Sequence, residues 1–146
     1  MKVYLDNCCY NRPYDDQSHL RISLETQAKL FIQNLIREKK IELVTSYVLF
    51  YENSKNPHPN RSDAIFNFFK NATQHVDSSN NNAVLESAKQ IQSAGIKTAD
   101  ACHIACAELT GCDYFLTTDD RILKYKSEKI VIMNPIQFIQ LFSEEM

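Results

Sequence analysis

Residues 98–123 read TADACHIACAELTGCDYFLTTDDRIL, and the reading of this stretch decides the fold. From Thr98 to Thr110 the chain is rich in alanine and small thiols and reads as a helix, stopped by Gly111 in the position of a glycine just past a helix C-terminus. The next run, DYFLTT, is aromatic and β-branched, reads as a strand, and ends in Asp119 and Asp120. DDRILKYK then returns to a helical turn or short helix. A helix, a tight stop, a strand and another helix form the repeating unit of a sheet whose parallel strands are joined by helices.

The same alternation extends to both ends. KVYL, residues 2–5, is a β-prone run closed by Asp6, and NRPYDD follows as a turn-rich loop. From Gln17 to Lys40 the period is helical, with Leu20, Leu24, Ala28, Phe31 and Leu35 as the apolar stripe and Arg37, Lys39 and Lys40 at the C-terminal end. IELVTS is a second strand, and YVLFYENSK a short helix stopped before Pro57 and Pro59. Asn60 is positioned to cap a helix carrying Ala64, Ile65, Phe68 and Phe69. QHVDSS is a third strand, and one asparagine of SSNNN should cap a helix ending near Gly95. KIVIMN is the last strand, and PIQFIQLFSEE a final amphipathic helix with Pro135 at its start. The expected fold is α/β: a three-layer α/β/α sandwich around a mostly parallel sheet of about five strands, with residues 1–146 as one domain by length.

Composition narrows the functions. A chain of 146 residues can bury a substantial core, roughly 68–70% of its unfolded surface, without disulfide staples. With only Gly95 and Gly111, no glycine-rich phosphate or dinucleotide loop is possible. The net charge of −2 is not the footprint of a domain that holds nucleic acid by overall charge, although a local basic patch remains compatible with it. No run approaches the ~18 apolar residues of a membrane span, and the N-terminal stretch has no signal-peptide apolar region, so a cytoplasmic protein is expected. Five cysteines without a C-x-x-C spacing read as free, reduced thiols.

In parallel α/β sheets, ligands bind beyond the carboxyl ends of the strands. Asp6 closes the first strand there, and Asp119 and Asp120 follow the fourth. Glu52 lies in the short helix after the second strand, and Asp100 in the first turn of the alanine-rich helix. Each alone has an ordinary reading: Asp100 favours a helix N-terminus, Asp119 caps DDRIL, and Glu52 is a solvated helix residue. Together they would form a cleft that cannot stay fully ionised without a cation. Carboxylate oxygens suit Mg²⁺ or Mn²⁺, and the reaction class that follows is metal-assisted phosphodiester hydrolysis.

YLDNCCYNRPYDD, TSYVLFYE, KTADACHIACAELTGCDYFLTTDDRIL and VIMNPIQF together resemble the PIN-domain family, in the VapC-type branch of toxin ribonucleases from bacterial toxin–antitoxin pairs. The resemblance covers nearly the whole chain, and its most specific parts are D-A-x-H-x-A-C-A-E and FLTTDDRIL. It implies a Rossmann-like parallel sheet and Mg²⁺- or Mn²⁺-dependent cleavage of single-stranded RNA. It also implies that Asp6, Glu52, Asp100 and Asp119 are the catalytic and metal-holding acids. Thr117 would support the first acid, and Asp120 would be an outer acid. Asn7 departs from the hydroxyl usual after the first acid. An antitoxin chain inserted near the cleft would be the partner, and self-association through an apolar helix face, such as that around Phe66, Phe68 and Phe69, would give a homodimer.

Arg12, Lys55, Arg61, Lys97 and Arg121 are the candidate phosphate contacts, and Tyr10 and Tyr14 candidate stacking partners for bases. Cys8 and Cys9 read as small thiols packed beside Asp6, and Cys102 and Cys106 as thiols on a helix packed closely on the sheet. His103 reads as a structural hydrogen-bonding residue near Asp100. Two other readings are a non-catalytic interaction or RNA-binding protein on the same fold, and a phosphatase using Asp6 as nucleophile. The phosphatase would want a second aspartate at the position of Cys8.

Overall fold

The computed structural model describes residues 1–145. Five parallel strands form one sheet: β1 (Lys2–Leu5), β2 (Glu42–Ser46), β3 (Gln74–Val76), β4 (Tyr114–Leu116) and β5 (Val131–Met133). Their order is β3-β2-β1-β4-β5. The chain therefore builds outward from β1 in one direction and then returns to its other edge, with Tyr4 in register with Val44 on one side and Phe115 on the other. This reversal makes the carboxyl ends of β1 and β4 the switch point of the sheet, where neighbouring connections part and leave a crevice.

Among the described residues, eight α-helices connect or cover the strands: α1 (Asn7–Asn11), α2 (Leu20–Arg37), α3 (Tyr47–Ser54), α4 (Pro59–Phe69), α5 (Asn81–Gln92), α6 (Thr98–Leu109), α7 (Asp120–Leu123) and α8 (Pro135–Glu145). Packing of α5 on α6 and of α2 on α8 provides the outer layers. The core is continuous, from Val3, Leu5 and Leu43 in the sheet to Ile32, Ile104, Ala105 and Phe138 in the helices. Fully buried alanines and Cys106 on α6 leave small side chains between helix and sheet, which lets the two backbones approach closely. Gly111, at φ +69°, ends that helix in the left-handed conformation only glycine adopts without strain.

The structure departs from the sequence reading at four local points. The loop after β1 contains a helix, α1, which starts because the Asp6 side chain accepts the Asn7 N–H and caps it. Asn60 is not a cap: α4 begins at Pro59, after His58, and so starts with a residue that has no N–H to satisfy. No asparagine side chain caps α5; Asp77 instead caps the 3₁₀ turn Ser78–Asn80 before it. The fourth point concerns α2. Ala28 and Leu35 are buried, but Leu20 is 75% exposed, and Leu24 and Phe31 are exposed at 43% and 44%. The face turned inward instead carries Glu25, Lys29 and Gln33 beside Ile32 and Ile36.

The phenylalanines of α4 also face inward. Phe68 and Phe69 are buried, and Phe66 packs edge-on against Phe50 and Phe69. Core burial accounts for Phe68 and Phe69, and Phe66 is half-buried.

Candidate metal-binding acidic site

Asp6 sits where β1 ends, and its position is fixed by several donors. Its backbone N–H donates to Leu116 O at 2.9 Å, continuing the β1–β4 ladder by one residue. Its carboxylate accepts from the Asn7 N–H at 2.8 Å and from the Thr117 hydroxyl at 2.8 Å, with the Cys8 thiol at 3.4 Å. The side chain is thus oriented by donors from three neighbouring residues.

Thr117 joins two acids. Its Oγ1 donates to Asp6 and accepts the Asp119 N–H at 3.1 Å. Asp119 in turn caps α7, accepting from the Arg121 N–H at 2.9 Å. The supporting part sketched for Thr117 therefore has a geometric counterpart. Asn7 contributes its backbone N–H rather than its side-chain amide, whose Oδ1 lies 3.4 Å from Asn11 Nδ2.

Glu52 enters from α3 and is held by His103 of α6. His103 is fully buried, and its Nε2 lies 2.7 Å from Glu52 Oε1. A carboxylate only accepts, so Nε2 carries the proton. The other ring nitrogen, Nδ1, lies 2.6 Å from the Tyr4 hydroxyl, which is also 2.6 Å from Ser46 Oγ. Ser46 accepts the Leu49 N–H and so caps α3, the helix that carries Glu52. Burial alone would lower the His103 pKa, but the Glu52 hydrogen bond, aided by the charges of Asp6 and Asp100, outweighs it and raises it.

Asp100, half-buried in the first turn of α6, completes the group. Its pKa is pushed up to about 6, first by burial and then by the negative charge of Asp6, with Asp119 and Glu52 adding to it and His103 opposing. Asp100 thus senses the charges of the other three acids.

That electrostatic fact is the test of a metal. The donor set is all oxygen, which suits Mg²⁺ or Mn²⁺, and the share of the Asp100 shift that comes from neighbouring negative charge is what a divalent ion would relieve. Among the described residues, no three His, Cys, Asp or Glu side chains are already closed on a common point.

The other sequence candidates separate. Arg12 is not free: its guanidinium pairs with buried Glu25 at 2.7 Å and with Asp15 at 3.0 Å. Asp120 is held by both terminal nitrogens of Arg21, at 3.0 and 2.8 Å. Lys55 and Arg61 line an open groove of ≈ 330 Å³ that begins at Glu52 and includes Asn7, Asn11 and His58. Arg61 stacks over Tyr14 and Lys55 over Tyr51. Arg121 is exposed and borders a separate groove with Ile96 and Lys124. Lys97 is exposed and precedes α6 as its N-cap residue. Tyr10 is a core residue, packed on Phe68 and Phe69.

Sequence reasoning did not find Tyr4 and Ser46 as the back wall of the site, nor the Cys8 thiol as a donor to Asp6. Tyr4 and Ser46 lie in strands, where no local signal separates them from ordinary core residues.

A family model described as PIN domain matches residues 4–128, a span that includes all four acids. The chain is also similar to a solved structure, VapBC2 from Rickettsia felis bound to a DNA fragment from their promoter. The TM-score is 0.59 at 13% identity, over 92% of this chain and 98% of that one. No curated protein matches the sequence.

Proposed function

Because the chain belongs to the PIN-domain family, we propose that it is a Mg²⁺- or Mn²⁺-dependent endoribonuclease that hydrolyses phosphodiester bonds of single-stranded RNA. The observation that carries this reading is the raised pKa of Asp100, about 6, pushed up first by burial and then by the charges of Asp6, Asp119 and Glu52.

In this reading Asp6, Asp100 and Asp119 hold the ion, and Glu52 faces it from α3. A divalent ion bound there would offset charge on the phosphoryl oxygens and activate water. Thr117 and the Asn7 N–H orient Asp6, and His103 keeps Glu52 turned toward the cleft. The groove that runs from Glu52 past Lys55 and Arg61 supplies cations beside the acids, and it is the natural path for a strand's phosphates. Arg12 is left out of this role, being neutralised by Glu25 and Asp15. The similarity to a VapBC structure supports extending the proposal to a protein antitoxin as partner. Action in the cytoplasm, as a single catalytic domain, belongs to the same proposal.

The test is cleavage of a labelled single-stranded RNA with Mn²⁺, Mg²⁺ or EDTA. The parent should cut only with a divalent ion. Asp6→Asn and Asp100→Asn should each abolish cutting while the far-ultraviolet circular dichroism stays unchanged. Cutting by both variants at the parent rate would refute the assignment. Absence of millimolar Mn²⁺ or Mg²⁺ binding would instead favour a non-catalytic interaction protein on this fold.

A further inference from the structure

A second polar cavity lies on the other side of α1, between α2 and α4, and none of the four acids lines it. Its volume is ≈ 300 Å³, at the lower end of the range of small-molecule sites. Its walls include Tyr10, Tyr14, Lys29, Gln33, Arg37 and Phe68.

Three of these residues are more than nine-tenths buried, and each carries a polar group without a partner among the described residues. Lys29 is 6% exposed; its ammonium makes no ion pair or hydrogen bond among the described residues, lies 5.7 Å from the centre of the Tyr10 ring and keeps contact with solvent. The Tyr10 hydroxyl and Gln33 Oε1 are both buried without a hydrogen-bond partner. Native interiors rarely leave such groups unmatched, because each costs its desolvation without return. Burial pulls the Lys29 ammonium down to about 8, and the charge of Arg37 acts in the same direction; only the Cys9 thiol opposes.

The three unmet needs specify one kind of ligand. Lys29 calls for negative charge, and Arg37, stacked on Phe68 at 5.2 Å, offers a second cation on the same wall. The Tyr10 hydroxyl can donate to an oxyanion. Gln33 Oε1 needs a donor, which a bare anion lacks. Pro13, Leu30 and the aromatic rings provide apolar surface for a carbon framework. We propose that the cavity between α2 and α4 binds a small organic oxyanion, a phosphate monoester or carboxylate, that also carries a hydroxyl or amine donor. This site is independent of the nuclease reading, since its ligand meets α1, α2 and α4 rather than the acids.

The experiment is thermal shift and isothermal titration of the full chain in EDTA, so that the acidic cleft repels anions. The probes are uridine monophosphate, malate and inorganic phosphate, each matched for ionic strength with chloride. Saturable binding of uridine monophosphate or malate, tighter than that of inorganic phosphate, is expected, and the preferred probe tells phosphate ester from carboxylate. Lys29→Met should weaken that binding roughly ten- to a hundredfold, the worth of a charged hydrogen bond. Gln33→Leu should bring the organic probe down to the level of inorganic phosphate. The Lys29 side-chain resonances of the unmutated protein should shift on saturation, a readout that needs no variant. The proposal falls if no probe saturates at millimolar concentration, or if Lys29→Met binds as the parent does.

Discussion

Helices α2 and α6 both turn polar side chains into the protein, and they resolve the cost in different ways. On α6, His103 has both ring nitrogens engaged, by Tyr4 and Glu52. What remains unbalanced there is charge alone, in the acids around Asp100. On α2, the buried row Glu25, Lys29, Gln33 is settled at one end and open at the other. Glu25 receives Arg12, Arg21 and Asn134. Lys29 and Gln33, one and two turns further on, receive nothing comparable. The contrast teaches that burial alone does not mark a functional site. The kind of imbalance does: excess negative charge points to a cation, and unmatched donors and acceptors point to a ligand bearing their complements.

The sharpest way to break the comparison is to remove its settled end. Glu25 is fully buried, and it ties α2 to the 3₁₀ turn Arg12–Tyr14 and to Asn134 at the start of α8. Glu25→Ala leaves Asn134 without this acceptor and Arg12 with only Asp15, in a largely buried setting. A loss of about 3 kcal/mol is expected, below the top of the range for broken buried pairs because Arg21 is half exposed and can rehydrate. Urea unfolding measures it; a loss near zero would mean that the network contributes only geometry.

The open end predicts the opposite sign. The folded state depresses Lys29 to about 8 from an ordinary 10.5, so between those values the unfolded chain binds more protons than the folded one. Stability should therefore rise as pH goes from 8 toward 10.5, and it should be lost again as pH falls through 8. In the absence of ligand, Lys29→Met removes the buried charge. It should be the more stable protein at pH 7 by about 2 kcal/mol, the difference shrinking toward zero near pH 10. Urea midpoints for the two proteins across this range check both the sign and the window.

How much of this was legible in the sequence follows from the distance to each partner. The strand–helix alternation, the Gly111 stop and the acids after KVYL and FLTT depend on neighbours in the chain, and all were readable. That Thr117 joins Asp6 to Asp119 was not, because it depends on β1 lying beside β4. α1 was missed because it is barely more than one turn, and its start depends on the Asp6 side chain rather than on periodicity. The apolar stripe of α2 misled more seriously. Leu20, Leu24 and Phe31 fit a helical period, yet the helix turns Glu25 inward because Arg12, Arg21 and Asn134 converge on it. The same pairing withdraws Arg12 from the phosphate contacts. His103 could be read as a hydrogen-bonding residue from its spacing to Asp100, but its partner, Glu52, is 51 residues away.

The finest distinction lies on α6, between a histidine that fills space and one that aims an acid. If His103 only fills the core, His103→Leu alters stability and leaves the cleft as it was. The 2.7 Å bond to Glu52 says otherwise, because without it the carboxylate, partly open to solvent, can turn toward water. Groups that orient metal-facing ligands typically govern about ten- to a hundredfold in metal affinity or activity. His103→Leu should therefore weaken Mn²⁺ binding and lower kcat for RNA cleavage by about tenfold, with KM for RNA changing much less, because Lys55 and Arg61 make no contact with His103 and stay in the groove. His103→Gln keeps an N–H for Glu52 and should recover part of the loss. Equal kcat in the parent and His103→Leu, or no recovery with glutamine, would reduce His103 to a packing residue. The buried polar groups of α6 would then differ from those of α2 only in being satisfied.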